Sequence, residues 1–207
     1  MAQNPRAAEG RTFDLRDAST KYDFRIALLP PAPKSEDEAS GPGGAITVFA
    51  KGQTIPIHQL IVEDIGPAAF EESYEPELTV GDFDFDGEED FALHVADDGP
   101  YGSPTYAVFV HRAKGDPFIL SKALTELTQE SMGFFDVDAT KRRIRTSSKS
   151  GCCIHWQSDY MIVGGEPRRI RTETQDALSD GCQIIVETLS KDGKWKRATR
   201  PCPPQEE

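Results

Sequence analysis

Residues 82 to 90 read Asp82-Phe83-Asp84-Phe85-Asp86-Gly87-Glu88-Glu89-Asp90. Aspartates fall at positions 1, 3, 5 and 9 of this D-x-D-x-D-G-x-x-D string, with glycine at position 6. Carboxylates this close repel one another strongly without a cation between them. Calcium is a hard cation that takes about six to eight oxygen ligands, and closely spaced aspartates supply them. Gly87 permits the positive-φ turn that folds such a loop around an ion. The main-chain carbonyl of Glu88 is the natural ligand at position 7. The predicted ligand set is therefore Asp82, Asp84, Asp86, Glu88 and Asp90, holding a structural Ca2+.

The string is not an EF-hand. That motif needs a bidentate glutamate at its last position, where this chain has Leu93, and it needs flanking helices. The flanks here, Pro76 to Val80 and Asp90 to Val95, alternate like strands. The loop thus resembles the calcium loop between strands of integrin-type (FG-GAP-like) propeller blades.

The rest of the chain reads as all-β. Strand patterns recur near 24–29, 45–50, 54–62, 90–95, 105–112, 117–120, 134–137, 142–146, 154–163, 168–174, 183–189 and 194–198, with glycine turns between them. Ser121 to Met132 suits one short helix. A weak repeat adds to this. Tyr106 to Val110 leads through Gly115-Asp116-Pro117 to a second strand, and Tyr160 to Val163 leads through Gly165-Glu166-Pro167 to another. A hairpin repeated in this way fits propeller blades. A complete ring of four-stranded blades needs at least about sixteen strands, and about a dozen are visible. The expectation is a small, irregular β-propeller-like domain over residues 21–202, with tails at 1–20 and 203–207 and a proline-rich loop from Pro30 to Gly44.

Charge limits the function. The net charge is −12, which argues against a nucleic-acid partner. Residues 1–140 carry −16 and residues 141–207 carry +4. A strongly acidic portion suits a basic partner and speeds encounter with it. No apolar run approaches the roughly 18 residues of a membrane span. Met1 to Arg6 is polar and unlike a leader. If the protein is exported, the leader is absent from this chain, and a lipid anchor in the precursor is compatible with it.

Four cysteines are present: Cys152, Cys153, Cys182 and Cys202. None has zinc or thioredoxin spacing, and the even count suits two disulfides in an oxidising compartment. Joining the adjacent pair would strain the chain. Cys152 and Cys153 are therefore expected to pair separately with Cys182 and Cys202. No nucleophile elbow, phosphate loop or zinc-protease helix motif occurs, and the reading is that the chain is not an enzyme.

One further stretch has the character of a binding loop. Asp98-Gly99-Pro100-Tyr101-Gly102-Ser103-Pro104-Thr105-Tyr106 is constrained by glycine and proline and carries two tyrosines, which favour interfaces. Tyr101, Gly102, Ser103 and Tyr106 are its candidate contacts. Lys149-Ser150-Gly151-Cys152-Cys153-Ile154-His155 is also unusual, but its Cys and His along one strand do not form a nucleophile pair.

These three stretches, in this order, resemble the β-propeller-like immunity proteins of the Xanthomonas type IV secretion system. The similarity runs from about residue 78 to 175. It implies a periplasmic protein that neutralises a lysozyme-like peptidoglycan hydrolase, stabilised by calcium. Lysozyme inhibitors of other families insert a loop with an S-G-x-x-Y type motif; this chain has no literal match, and the Tyr101 to Tyr106 loop is the first choice for that role. The competing expectation is a calcium-stabilised adhesion or surface-binding module without inhibitory activity.

Overall fold

The computed structural model describes residues 10–29, 43–63, 65–66, 71, 73–178 and 181–203. Fourteen strands and one α-helix follow along them. A first sheet is the meander β1 (Thr12–Leu15), β2 (Tyr22–Leu29), β3 (Gly43–Ala50) and β4 (Pro56–Val62). A second is the meander β5 (Leu78–Gly81), β6 (Asp90–Ala96), β7 (Thr105–His111) and β8 (Phe118–Leu120). The third holds β9 (Asp136–Asp138), β10 (Arg143–Ser150), β11 (Ile154–Val163), β12 (Glu166–Asp176), β13 (Gln183–Leu189) and β14 (Trp195–Pro201). Every strand pairing is antiparallel. Helix α1 (Lys122–Glu130) buries Leu124, Leu127 and Thr128, spaced to share one face.

The chain divides into two compact units. The first holds the two four-stranded sheets. Its core is Phe24, Ile26, Leu28, Ile46, Val48, Phe91, Leu93 and Phe109 with their neighbours. In β2 the residues Phe24, Ile26 and Leu28 are buried and alternate with less buried ones, as in a strand with one face on a core. In β7 six consecutive residues are buried, so both of its faces are covered. Aromatic contacts tie the two sheets together: the rings of Phe24 and Phe91 lie 4.9 Å apart, and those of Tyr22 and Phe118 5.2 Å apart. Each such side chain stabilises the fold by about 1.5–3 kcal/mol through burial.

The second unit holds the six-stranded sheet and α1, with Ile144 fully buried. The β11–β12 hairpin turns through Gly164 and Gly165, both at positive φ, as two-residue hairpin turns require.

The all-β expectation holds, and the strand positions lie close to those read from alternation. The propeller does not follow from these sheets. The two Gly-acidic-Pro segments do form antiparallel hairpins, β7–β8 and β11–β12. One is joined by a six-residue connection and the other by a two-residue turn, so the sequence repeat is not a structural one. The third sheet is one continuous six-stranded ladder rather than a four-stranded blade. The tail expectation is corrected too: residues 12–15 form β1, pairing with Phe24 to Ala27, and the Phe13 ring packs edge-on to Tyr74. Residues 1–9, 204–207 and most of the proline-rich loop lie outside the described residues.

Candidate functional site

The acidic string connects β5 to β6, whose ladder begins at Gly81 opposite Asp90. Its odd and even residues separate. Phe83 and Phe85 are buried, with Phe83 edge-on to Phe134 and Phe135 at 5.3 and 5.6 Å. The Arg142 guanidinium lies 5.6 Å from the Phe85 ring centre and donates to the Phe85 carbonyl. Beside these buried rings Asp82 and Asp84 are half-buried and Asp86 is exposed. Carboxylate oxygens of Asp82, Asp84 and Asp86 lie within 4.8 Å of one another. The loop closes on itself: the Gly87 amide donates to Asp82 Oδ2 at 3.0 Å, and the Asp86 amide to Asp84 Oδ1 at 3.2 Å. Gly87 takes φ +96 and Phe85 φ +64, the left-handed region that lets a chain reverse so tightly.

The other two predicted ligands are placed differently. The Glu88 carboxylate pairs with Lys21 Nζ at 2.8 Å. That hydrogen bond and charge hold the Glu88 carboxyl below its ordinary pKa and raise the Lys21 ammonium. Asp90 is buried in β6, and its Oδ1 accepts from the His111 amide at 2.8 Å. The structure therefore gathers the carboxylates of Asp82, Asp84 and Asp86, and directs those of Glu88 and Asp90 to protein partners. The expected role of Glu88 rests on its carbonyl, which the side-chain pairing does not use. The three gathered carboxylates offer oxygen donors, the kind a hard divalent cation takes.

The glycine–proline stretch forms a 3-10 turn at Pro100–Gly102. The Gly99 amide donates to the Ser103 carbonyl at 3.0 Å and the Gly102 amide to the Gly99 carbonyl at 2.9 Å. Tyr101 sits at φ +60 and remains 62% exposed. Its ring is nonetheless held. Tyr101 Oη accepts from the Gly151 amide at 2.6 Å, and Lys149 Nζ lies 4.7 Å from the ring centre. Ser103 Oγ donates to the Ser131 carbonyl at 3.2 Å. The structure thus joins two of the stretches singled out in the sequence, Tyr101-Gly102-Ser103 and Lys149-Ser150-Gly151. Tyr106 does not join them. It is 6% exposed in β7, its ring beside His94 at 5.4 Å, so it is corrected from a contact residue to a core residue.

The cysteine pairing is also corrected. Cys152 bonds to Cys153, and Cys182 to Cys202. The first pair occupies the turn between β10 and β11, and no cysteine is left free. The second follows from register. Gln183 faces Pro201 in the β13–β14 ladder, so Cys182 and Cys202 stand opposite one another just beyond it, with Cα atoms 5.3 Å apart.

An open groove of about 490 Å³ crosses the six-stranded sheet. Two ion pairs lie along it, Arg145 with Asp159 at 2.7 Å and Lys141 with Asp138 at 3.0 Å. The anchors of the two loops differ in how far the sequence shows them. Phe83 and Phe85 were legible as the period-2 complement of the aspartates, whereas Lys149 and Gly151 reach Tyr101 only through folding.

No protein-family model matches the chain, and a comparison with curated proteins gave no match. Among solved structures, one described as a Xanthomonas type IV secretion system related protein superposes with a TM-score of 0.64, over 93% of this chain and 95% of that one, at 21% identity. The chain therefore shares its fold with that protein along nearly its whole length.

Proposed function

We propose that this protein is a stoichiometric inhibitor of a lysozyme-like peptidoglycan hydrolase, acting as the immunity partner of a toxin delivered by a type IV secretion system. The observation that carries the reading is the fold shared with a secretion-system related protein over 93% of the chain. The order of the acidic loop, the tyrosine loop and the Cys-Cys turn in the sequence supports it. Tyr101 is the proposed contact. It is exposed but fixed at its hydroxyl and ring, so little side-chain freedom is lost when a partner covers it. The acidic residues 1–140, at −16, suit a basic hydrolase.

The proposed ion is a structural Ca2+ held by Asp82, Asp84 and Asp86, with the Glu88 carbonyl as a further ligand. When bound, it would cancel the repulsion within the loop. The chain's own residues do the rest: Phe83 and Phe85 anchor the loop, and the Gly87 and Asp86 amides orient two of the carboxylates. The proposed compartment is the periplasm, where disulfides such as Cys182–Cys202 persist.

A muramidase assay on peptidoglycan tests the function, using lysozyme-like toxins from bacteria that carry this secretion system. Saturable inhibition near one-to-one stoichiometry is expected. Tyr101→Ala should weaken it by roughly tenfold or more, the effect of losing an aromatic hot spot, with the melting temperature nearly unchanged. Absence of inhibition across the toxins overturns the reading; inhibition untouched by Tyr101→Ala overturns only the assignment of the loop.

A further inference from the structure

The outermost strand of the six-stranded sheet is built unlike a strand that serves the core. All seven residues of β14 are exposed. An ordinary edge strand buries alternate residues against the layer beneath it; this one buries none, and Trp195 is 46% exposed. Among the described residues β14 pairs only with β13, through seven consecutive positions, so its other edge offers a row of backbone donors and acceptors.

The strand is nevertheless held firmly at both ends. At one end the Ser190 amide donates to the Lys194 carbonyl at 2.8 Å and the Gly193 amide to the Ser190 carbonyl at 2.9 Å, closing the hairpin turn. At the other end Cys182–Cys202 staples β13 to β14, and the Cys202 amide donates to the Cys182 carbonyl at 2.9 Å. The clamp restrains a strand whose seven residues are all exposed. It preorganises an extended edge, which lowers the entropy lost when a partner strand adds to it.

The chemistry of that edge selects the partner. Lys196, Arg197 and Arg200 lie on β14, with Lys194 beside it, and the strand has no acidic residue. Strand alternation puts Lys196 and Arg200 on one face and Arg197 on the other, so each face carries cations, with Glu173 4.0 Å from Arg200 and Glu187 opposite Arg197 in the ladder. The Arg169 guanidinium lies 5.7 Å from the Trp195 ring centre, which adds an aromatic–arginine pair of the kind enriched at interfaces. Two copies of β14 placed edge to edge would set like charges opposite one another, a destabilising arrangement. An acidic strand meets none of that repulsion.

We propose that β14 is a docking edge for an extended, acidic segment of a partner protein, which adds as a seventh strand. The surface is separate from the Tyr101 loop, and the inference does not depend on the inhibitor reading.

Fluorescence anisotropy tests it on the whole chain. The probe is a labelled synthetic peptide of about ten residues that alternates glutamate with valine or threonine, a length suited to one strand. A second peptide carries the same sequence with alternate backbone amides N-methylated. Saturable binding of the first is expected, weakened roughly tenfold or more both by N-methylation and by the variant Lys196→Glu/Arg197→Glu/Arg200→Glu. These positions are exposed, and an unchanged circular dichroism spectrum would verify that the variant folds. No binding overturns the proposal. Equal binding of the two peptides overturns it as well, because charge alone would then account for the contact. Sedimentation showing that the chain dimerises through β14 would replace the acidic partner with a second copy.

Discussion

Phe83 and Phe85 hold the charge of the acidic loop in place. Two carboxylates about 5 Å apart repel by roughly 1 kcal/mol at the dielectric of water. Burying a phenylalanine contributes about 1.5–3 kcal/mol, so two of them offset much of the repulsion among Asp82, Asp84 and Asp86. A similar economy operates at Asp138 in the β9–β10 turn. Its Oδ1 accepts from the Lys141 amide at 2.9 Å and its Oδ2 pairs with Lys141 Nζ at 3.0 Å. The backbone hydrogen bond first, and the ammonium after it, hold this carboxyl below its ordinary pKa. A group depressed on folding stabilises the fold above its unfolded pKa, and the contribution disappears as pH falls through the folded one. Asp138→Asn keeps an acceptor for the amide but cannot titrate. The native chain should therefore lose more of its stability than the variant between about pH 5 and about pH 2, measured by urea midpoints. Equal losses would refute the assignment.

Among the elements, the β13–β14 hairpin packs thinly: every residue of β14 is exposed and β13 buries only Ile184. Its staple joins cysteines 20 residues apart. Closing a loop of that size removes about 3 kcal/mol of chain entropy from the unfolded state. Cys182→Ser/Cys202→Ser should lower the unfolding free energy by about that amount, and hydrogen exchange should show β14 opening first. A loss spread evenly over the six-stranded sheet would show instead that the hairpin unfolds only with the sheet. The Cys152–Cys153 pair occupies a turn already closed by the β10–β11 ladder, which runs to Ser150 opposite Ile154. It closes almost no additional chain, so its removal should matter far less to stability.

The whole molecule carries its charge unevenly, −16 over residues 1–140 and +4 beyond. A divalent cation in the acidic loop would reduce the larger imbalance. Calcium bound only by the folded state raises stability by mass action, about 2.7 kcal/mol at a hundredfold excess over its dissociation constant. Added calcium should therefore raise the melting temperature, and chelation or Asp84→Ala should remove the gain. An unchanged melting temperature in calcium would show that the loop stands on its phenylalanines alone. The same imbalance bears on association: the rate of binding to the proposed basic hydrolase should fall with rising salt.

Sequence alone set the class of the fold and the position of nearly every strand, because alternation and turn glycines are local signals that survive into the folded chain. It also made the acidic loop legible, since five consecutive residues carry both the carboxylates and their aromatic anchors. β1 escaped notice because four residues in a polar segment are too few to show a period. Everything that depends on register was left to tertiary structure. Cys182 meets Cys202 because the β13–β14 ladder puts them opposite each other, and Tyr106 is buried because β7 is covered on both faces. Tyr101 is tied to Gly151, 50 residues away, by a hydrogen bond that no local pattern encodes. Such contacts are chosen by which strands pair and at what offset, and that choice is made only when distant parts of the chain compete to bury the same core.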